Sequence, residues 1–174
     1  MTRTEVRICG LGGQGVVLAG QILGRAAVYD GKNVVQTQSY GAEARGSAAK
    51  SEVIISDGKI GYPLVRQCDV LVAMSQDAFD ANVKGLKANA VLIVDEDLVK
   101  QIPQTGAQIH KLPITHTAKT EMNSEMYANV VMLGAITKTT KIVSEEAMKE
   151  AVLASVRKDT ADANLKALET GLSL

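Results

Sequence analysis

An open α/β fold, with a mostly parallel sheet and helices on both faces, is predicted by three observations. A short apolar run at residues 6–9 ends in a glycine-rich turn and passes without a break into helical periodicity that lasts to residue 29. Near-continuous apolar runs recur at residues 69–74 and 90–94, as expected of strands covered on both faces. Trp is absent and Phe occurs once, so the core must be built from Val, Ile, Leu, Ala and Met, which suits helices lying close on a parallel sheet.

Taken in order, the first strand leads into a helix over residues 16–29. Small and branched residues (Val16, Ala19, Gly20, Leu23, Ala26, Ala27) recur there at helical spacing, and Asp30-Gly31 closes it. A second strand at residues 33–38 completes a β-α-β unit. The rhythm then breaks. A polar, glycine-bearing loop spans residues 39–47, and residues 51–56 and 59–62 flank Asp57-Gly58, a two-residue turn that predicts an inserted β-hairpin. After the strand at 69–74, Ser75 is suited to cap a helix running to about Lys84. Residues 90–94 form the next strand, ended by Asp95-Glu96-Asp97, and a weaker one follows at 107–112, bounded by Pro113. Residues 124–137 are apolar almost all round (Met126, Val130, Val131, Leu133, Ile136), which predicts burial on more than one side, with another chain supplying part of the cover. Ser144 should cap a helix through Val156, and Leu165 and Leu168 share one stripe of a last helix ending near Gly171. The arrangement is a Rossmann-like sheet carrying an extra hairpin. At 174 residues and 46% hydrophobic content the chain is long enough for one well-buried domain and short for two, so residues 1–174 are read as one domain.

Composition excludes several classes. Lys plus Arg equals Asp plus Glu, 19 against 19, so no net field draws the chain to nucleic acid or to an anionic membrane. With no apolar signal region after the first residues and no run of membrane-spanning length, a cytoplasmic protein is expected. Two cysteines, Cys9 and Cys68, are too few and too scattered for an iron–sulfur cluster or a four-cysteine zinc site, and read as buried free thiols. His110 and His116 fall near no recognised catalytic partner and read as satisfied or solvated imidazoles. Asp95, Glu96 and Asp97 are consecutive and should not converge on one ion; a solvated loop is expected, with Asp97 capping a short helix.

The chemistry concentrates in two stretches. Gly10, Gly12 and Gly15 fit the spacing G-x-G-x-x-G, with Gly13 and Gln14 between them. Such a turn allows close approach of a ligand to backbone, and the amides opening the next helix favour phosphate or carboxylate. The same glycines also serve to pack a helix tightly on a sheet, and spacing leaves both readings open. A dinucleotide site needs an acidic residue near the end of the second strand, where residues 33–40 have none, and no Gly-Lys-Ser/Thr follows the glycines to make a Walker-type loop. The second stretch, Ser39-Tyr40-Gly41-Ala42-Glu43-Ala44-Arg45-Gly46, should emerge at the carboxyl edge of the sheet, where the first and second strands end side by side. The Arg45 fork of donors suits phosphate or carboxylate; a surface pair with Glu43 is the alternative.

Several motifs in one order carry a resemblance. Gly10-Leu11-Gly12-Gly13-Gln14-Gly15-Val16, then Gln36-Thr37-Gln38-Ser39-Tyr40-Gly41-Ala42-Glu43-Ala44-Arg45-Gly46, then Ser51-Glu52-Val53-Ile54-Ile55-Ser56-Asp57 with Tyr62-Pro63, resemble the gamma subunit of the 2-oxoacid:ferredoxin oxidoreductases. Ala128-Asn129-Val130-Val131-Met132-Leu133-Gly134-Ala135 and Asn164-Leu165-Lys166-Ala167-Leu168 extend the similarity over nearly the whole chain, and the Gln-Ser-Tyr-Gly form of the second motif is most like the 2-oxoglutarate branch. The chain departs from that motif at Ala42, where Pro is frequent, and at Ser47, where Gly is common.

The resemblance implies oxidative decarboxylation of a 2-oxoacid with coenzyme A (CoA), giving acyl-CoA, carbon dioxide and reduced ferredoxin. It implies that thiamine diphosphate, Mg2+ and the iron–sulfur clusters belong to catalytic alpha and beta partner subunits, with a ferredoxin-like delta subunit as an optional further partner. This chain has no Gly-Asp-Gly thiamine signature and should bind none of these alone. The gamma type is expected to help form the CoA side of the site and a subunit interface, with Gly10, Gly12, Gly13, Gln14, Gly15, Ser39, Tyr40, Gly41, Glu43, Arg45 and Gly46 as ligand or partner contacts and no catalytic residue of its own. A stand-alone nucleotide-binding protein and a purely structural subunit are the competing readings.

Overall fold

The computed structural model describes residues 2–41 and 46–174. A six-stranded sheet has the order β2-β3-β1-β4-β5-β6, formed by Arg3–Leu11 (β1), Asn33–Tyr40 (β2), Ala48–Ser56 (β3), Cys68–Ala73 (β4), Leu86–Asp95 (β5) and Gln108–Leu112 (β6). β1, β4, β5 and β6 run parallel to one another, while β3 is antiparallel to both of its neighbours.

This corrects the hairpin. Residues 59–62 form no strand; β3 instead slots between β1 and β2, pairing Arg3 to Leu11 on one side and Asn33 to Tyr40 on the other. Residues 51–56 of β3 are all buried, and such a strand needs neighbours on both edges rather than a place at the end of a hairpin. The first and second strands therefore end at the same edge of the sheet with β3 between them, not side by side.

Alternation along the strands divides the interior into two cores. Val6, Ile8, Val70, Val72 and Ile93 face a layer of helices: Val16–Tyr29 (α1), Ile114–Met122 (α3), Ala128–Thr140 (α4), Glu145–Leu153 (α5) and Ala161–Leu172 (α6). Cys9, Leu71, Ala73, Leu92 and Val94 face the other way, toward Phe79 of Gln76–Asn82 (α2) and toward Val65 and Val99 of connecting segments. Ser75 and Ser144 cap their helices as expected, their hydroxyls accepting from the N–H groups of Ala78 and Ala147 at 3.3 and 3.1 Å. Arg7 and Glu52, opposite one another on β1 and β3, form a buried ion pair at 2.7 Å.

α4 also departs from expectation. From Val130 to Ile136 every apolar residue is buried within this one chain, so the cover assigned to another chain is supplied internally. α6 lies across α4 with Gly134 and Gly171 at the crossing, close enough for backbone to touch backbone. Only Met126, in the single 3-10 turn that leads into α4, stands out, 85% exposed.

Candidate functional site

The chain leaves β1 through α1 toward one side of the sheet and leaves β4 through α2 toward the other. The topological switch point thus lies between the carboxyl ends of β1 and β4, where open α/β sheets place their ligands. Gln14 stands there. Its Oε1 accepts from Leu11 N–H and its Nε2 donates to the Met74 carbonyl, both at 2.7 Å, so one side chain ties the end of β1 to the end of β4. Gly10 makes room for it: a Cβ there would lie 2.5 Å from Gln14 Oε1 and 3.1 Å from Met74. The Gln14 side chain thus occupies part of the crevice between the two strand ends.

The turn needs glycine at two further positions for backbone reasons. Gly13 and Gly15 have φ of 100° and 71°, the left-handed region that side chains disfavour. Gly15 caps α1 without any side chain, the first turn of α1 holds no acidic residue, and a Cβ on Gly15 would strike Asn129 of α4 at 2.5 Å. The first amides of α1 thus open toward the carboxyl edge with a backbone cap only.

The second motif is joined to the first. Gly12 N–H donates to the Ser47 carbonyl at 2.7 Å, Gly46 N–H to the Gly12 carbonyl at 3.4 Å, and Gly41 N–H to the Ala48 carbonyl at 2.7 Å. Both ends of the loop between β2 and β3 are therefore pinned beside the glycine turn. Glu43 and Arg45 lie outside the described residues. Ser39 and Tyr40 end β2, with Tyr40 62% exposed.

The exposed Gly13 sits between two cavities. A space of about 240 Å³ is lined by the glycine turn, Val16, Val17, Tyr40 and Ala49. A larger one, about 390 Å³, is bounded by Gly13, Gln14, Met74, Leu98, Thr115, Lys119, Glu125 and Met126. Lys119 and Glu125 pair at 2.6 Å on its rim, and that hydrogen bond from Lys119 to Glu125 raises the ammonium pKa. None of the residues from Met74 to Met126 in this wall was legible as part of a site, because four separate segments bring them together: the ends of β4 and β5, α3, and the turn that leads into α4.

Asp95 corrects another expectation. Rather than belonging to a solvated loop, it is fully buried, and its carboxylate accepts from Thr115 N–H at 2.8 Å and from Asp97 N–H at 3.0 Å, holding the start of α3 against the end of β5. His110 is half-buried on β6, and its Nε2, shielded from solvent, has no hydrogen-bond partner among the described residues, so that nitrogen is neither satisfied nor solvated as expected; His116 is exposed on α3. Cys9 and Cys68 are buried, and burial pushes their thiols up, Cys9 to about 12 and Cys68 to about 11. Among the described residues no group of three or more His, Cys, Asp or Glu side chains is arranged to hold a metal ion, and no helix is long and apolar enough to cross a membrane.

Against known proteins, residues 5–174 match the family model "Pyruvate ferredoxin/flavodoxin oxidoreductase". The 2-oxoglutarate synthase subunit KorC of Methanocaldococcus jannaschii is 51% identical over 172 residues, covering 97% of this chain and 92% of that one. The crystal structure of a keto/oxoacid ferredoxin oxidoreductase gamma subunit from Geobacter sulfurreducens PCA superposes with a TM-score of 0.88 at 47% identity, covering 98% of this chain and 96% of that chain. A 2-oxoglutarate:ferredoxin oxidoreductase from Magnetococcus marinus, solved with 2-oxoglutarate, CoA and succinyl-CoA, has a TM-score of 0.88 at 25% identity; it covers 99% of this chain, which corresponds to 31% of that longer polypeptide. The chain belongs to the pyruvate ferredoxin/flavodoxin oxidoreductase family and is a gamma subunit of a 2-oxoacid:ferredoxin oxidoreductase.

Proposed function

We propose that this subunit serves the oxidative decarboxylation of 2-oxoglutarate to succinyl-CoA, carbon dioxide and reduced ferredoxin, and that its glycine turn and second-motif loop form the CoA side of the site and an interface with the catalytic subunits. The observation that carries the substrate class is the 51% identity, over nearly the full length of both chains, to a relative named as a 2-oxoglutarate synthase subunit. Support for the CoA side comes from the geometry. Gly13 lies between two cavities, α1 opens without a side-chain cap, and the loop bearing Arg45 is anchored at Gly46 and Ser47 beside that opening. Backbone amides and a guanidinium match phosphate charge without a metal.

In this reading thiamine diphosphate, Mg2+ and the iron–sulfur clusters are held by alpha and beta subunits, joined in some assemblies by a ferredoxin-like delta subunit. The chain acts in the cytoplasm, as one domain, and carries no catalytic residue. Co-purification from the native source tests the proposal: CoA-dependent reduction of ferredoxin should be fastest with 2-oxoglutarate among pyruvate, 2-oxoisovalerate and 2-oxoglutarate. A complex that prefers pyruvate overturns the substrate assignment, and a chain that purifies without larger partners overturns the role.

A further inference from the structure

A buried polar side chain beside the glycine turn finds no partner inside the chain. Asn129, in the first turn of α4, is only 7% exposed, and among the described residues its side-chain amide makes no hydrogen bond. Asn82 and Asn164, in other helices, turn their amides back on the carbonyls of Ala78 and Thr160, four residues earlier and 2.8 Å away. Asn129 does not. Its Nδ2 is instead the atom nearest to the place a Cβ on Gly15 would take, 2.5 Å off, so the amide is aimed at the residue that opens α1. It still reaches the surface, because the only side-chain polar atom among the described residues that is both fully shielded and unpartnered is His110 Nε2. A buried polar group left unpaired is costly, and native chains seldom carry one without a use.

α1, a helix of 14 residues, begins at the same place with no side-chain cap and no acid in its first turn, and Gly15, Val16 and Val17 line the cavity of about 240 Å³. What meets there is a set of donors, the first backbone N–H groups of α1 and the Asn129 Nδ2. We propose that Asn129 and the amino end of α1 together bind the pyrophosphate of CoA, Nδ2 donating one hydrogen bond and the α1 amides the others. The proposal rests on the CoA reading above and adds to it the α4 residue that holds the phosphate. Neutral donors and a helix dipole suit the pyrophosphate, whose two phosphorus centres carry one charge each, better than the 3′-phosphate, a monoester close to doubly charged at neutral pH. Glycine at position 15 is then needed twice, for its φ of 71° and because a Cβ there would displace the amide.

Kinetics of the assembled enzyme test this. Asn129→Ala should raise the apparent KM for CoA about tenfold, and that for 3′-dephospho-CoA by the same factor, with the KM for the 2-oxoacid unchanged. Asn129→Asp keeps the shape but sets a carboxylate against the pyrophosphate, so it should raise the KM for CoA further than Asn129→Ala does. The Asn129→Asp chain should nevertheless melt no lower than the parent, because an acid beside an uncapped helix start is favourable. A side chain that only fills space against Gly15 predicts the opposite order, with Asp milder than Ala. That order overturns the proposal, as does an effect seen with CoA and absent with 3′-dephospho-CoA. A carboxylate of a partner subunit in the place of the ligand would lower the yield of complex and leave the KM for CoA as it was, which overturns it too. Arg45→Ala tests the CoA reading separately: a KM raised there but in neither Asn129 variant removes Asn129 alone, whereas a KM unmoved in all three removes the CoA reading with it.

Discussion

Gly171 of α6 touches the backbone of Val131 in α4: a methyl group on Gly171 would stand 2.0 Å from the Val131 carbonyl oxygen, and one on Gly134 would stand 2.4 Å from that of Leu168. Backbone cannot yield as a flexible side chain does. The two glycines let α6 lie down on α4 and complete the cover that α4 needs.

Gly171→Ala and Gly134→Ala should each destabilise the chain at the upper end of the overpacking range, about 3 kcal/mol. Urea unfolding of both variants, with Gly61→Ala as a control that meets no atom within 4 Å, checks this. Equal midpoints for all three would show that the helices can separate freely.

Gln14→Ala should remove both hydrogen bonds that join the ends of β1 and β4, for a loss of about 1–3 kcal/mol. Gln14→Glu should be no better, because a carboxylate can still accept from Leu11 N–H but confronts the Met74 carbonyl without a donor. If Gln14→Glu proves as stable as the parent chain in thermal melts, the bridging role assigned to Gln14 is wrong.

Much of this organisation was legible before any coordinates. The glycine turn, the helix after it, the two-sided strands at 69–74 and 90–94 and the caps Ser75 and Ser144 follow from local chemistry that fixes local geometry. What sequence reading missed was contact between distant elements. Asp57-Gly58 is a good local turn, yet β3 is claimed on both edges by β1 and β2. The apolar girth of α4 was a true sign of burial, but nothing in its own residues said whether α6 or another chain would supply it. Asp95 could not be told from Glu96 and Asp97 until α3 was placed beside it.

Asp95→Asn should separate these acidic neighbours. Asp95 holds two backbone N–H groups, and an amide can accept only with its oxygen, leaving the other N–H against an NH2. A loss of about 1.5–3 kcal/mol is expected. Glu96→Gln, at an exposed position, should have none. Denaturant midpoints of the two variants make the comparison.

The buried thiols give the chain an alkaline limit. Folding raises the Cys9 thiol from 9.0 to about 12 and Cys68 from 9.0 to about 11, chiefly because burial penalises the thiolate. Between these values the folded state holds protons that the unfolded state has lost. The stabilisation is therefore complete below about pH 9 and declines as pH rises from there toward 11 and 12. Both cysteines should resist a thiol reagent at pH 8 until the chain is unfolded. Rapid modification of either one in the native protein would contradict their burial.

The last prediction concerns Arg45 and the turn beside it. Gly46, its neighbour in sequence, donates its N–H to the Gly12 carbonyl, so the second motif is anchored within the glycine turn itself. Phosphates of CoA held partly out of water need matched charge, and the open end of α1 supplies dipoles but no full positive charge. Replacing Arg45 with Ala should then raise the apparent KM for CoA in the assembled enzyme, since a lost charge-assisted contact costs about 1.5 to 3 kcal/mol, roughly tenfold or more. A protein-contact role predicts another pattern: the yield of complex falls, while the complex that survives keeps its KM. Measuring both quantities on the same preparations separates the two roles, and an unchanged KM in fully assembled enzyme would remove Arg45 from the CoA site.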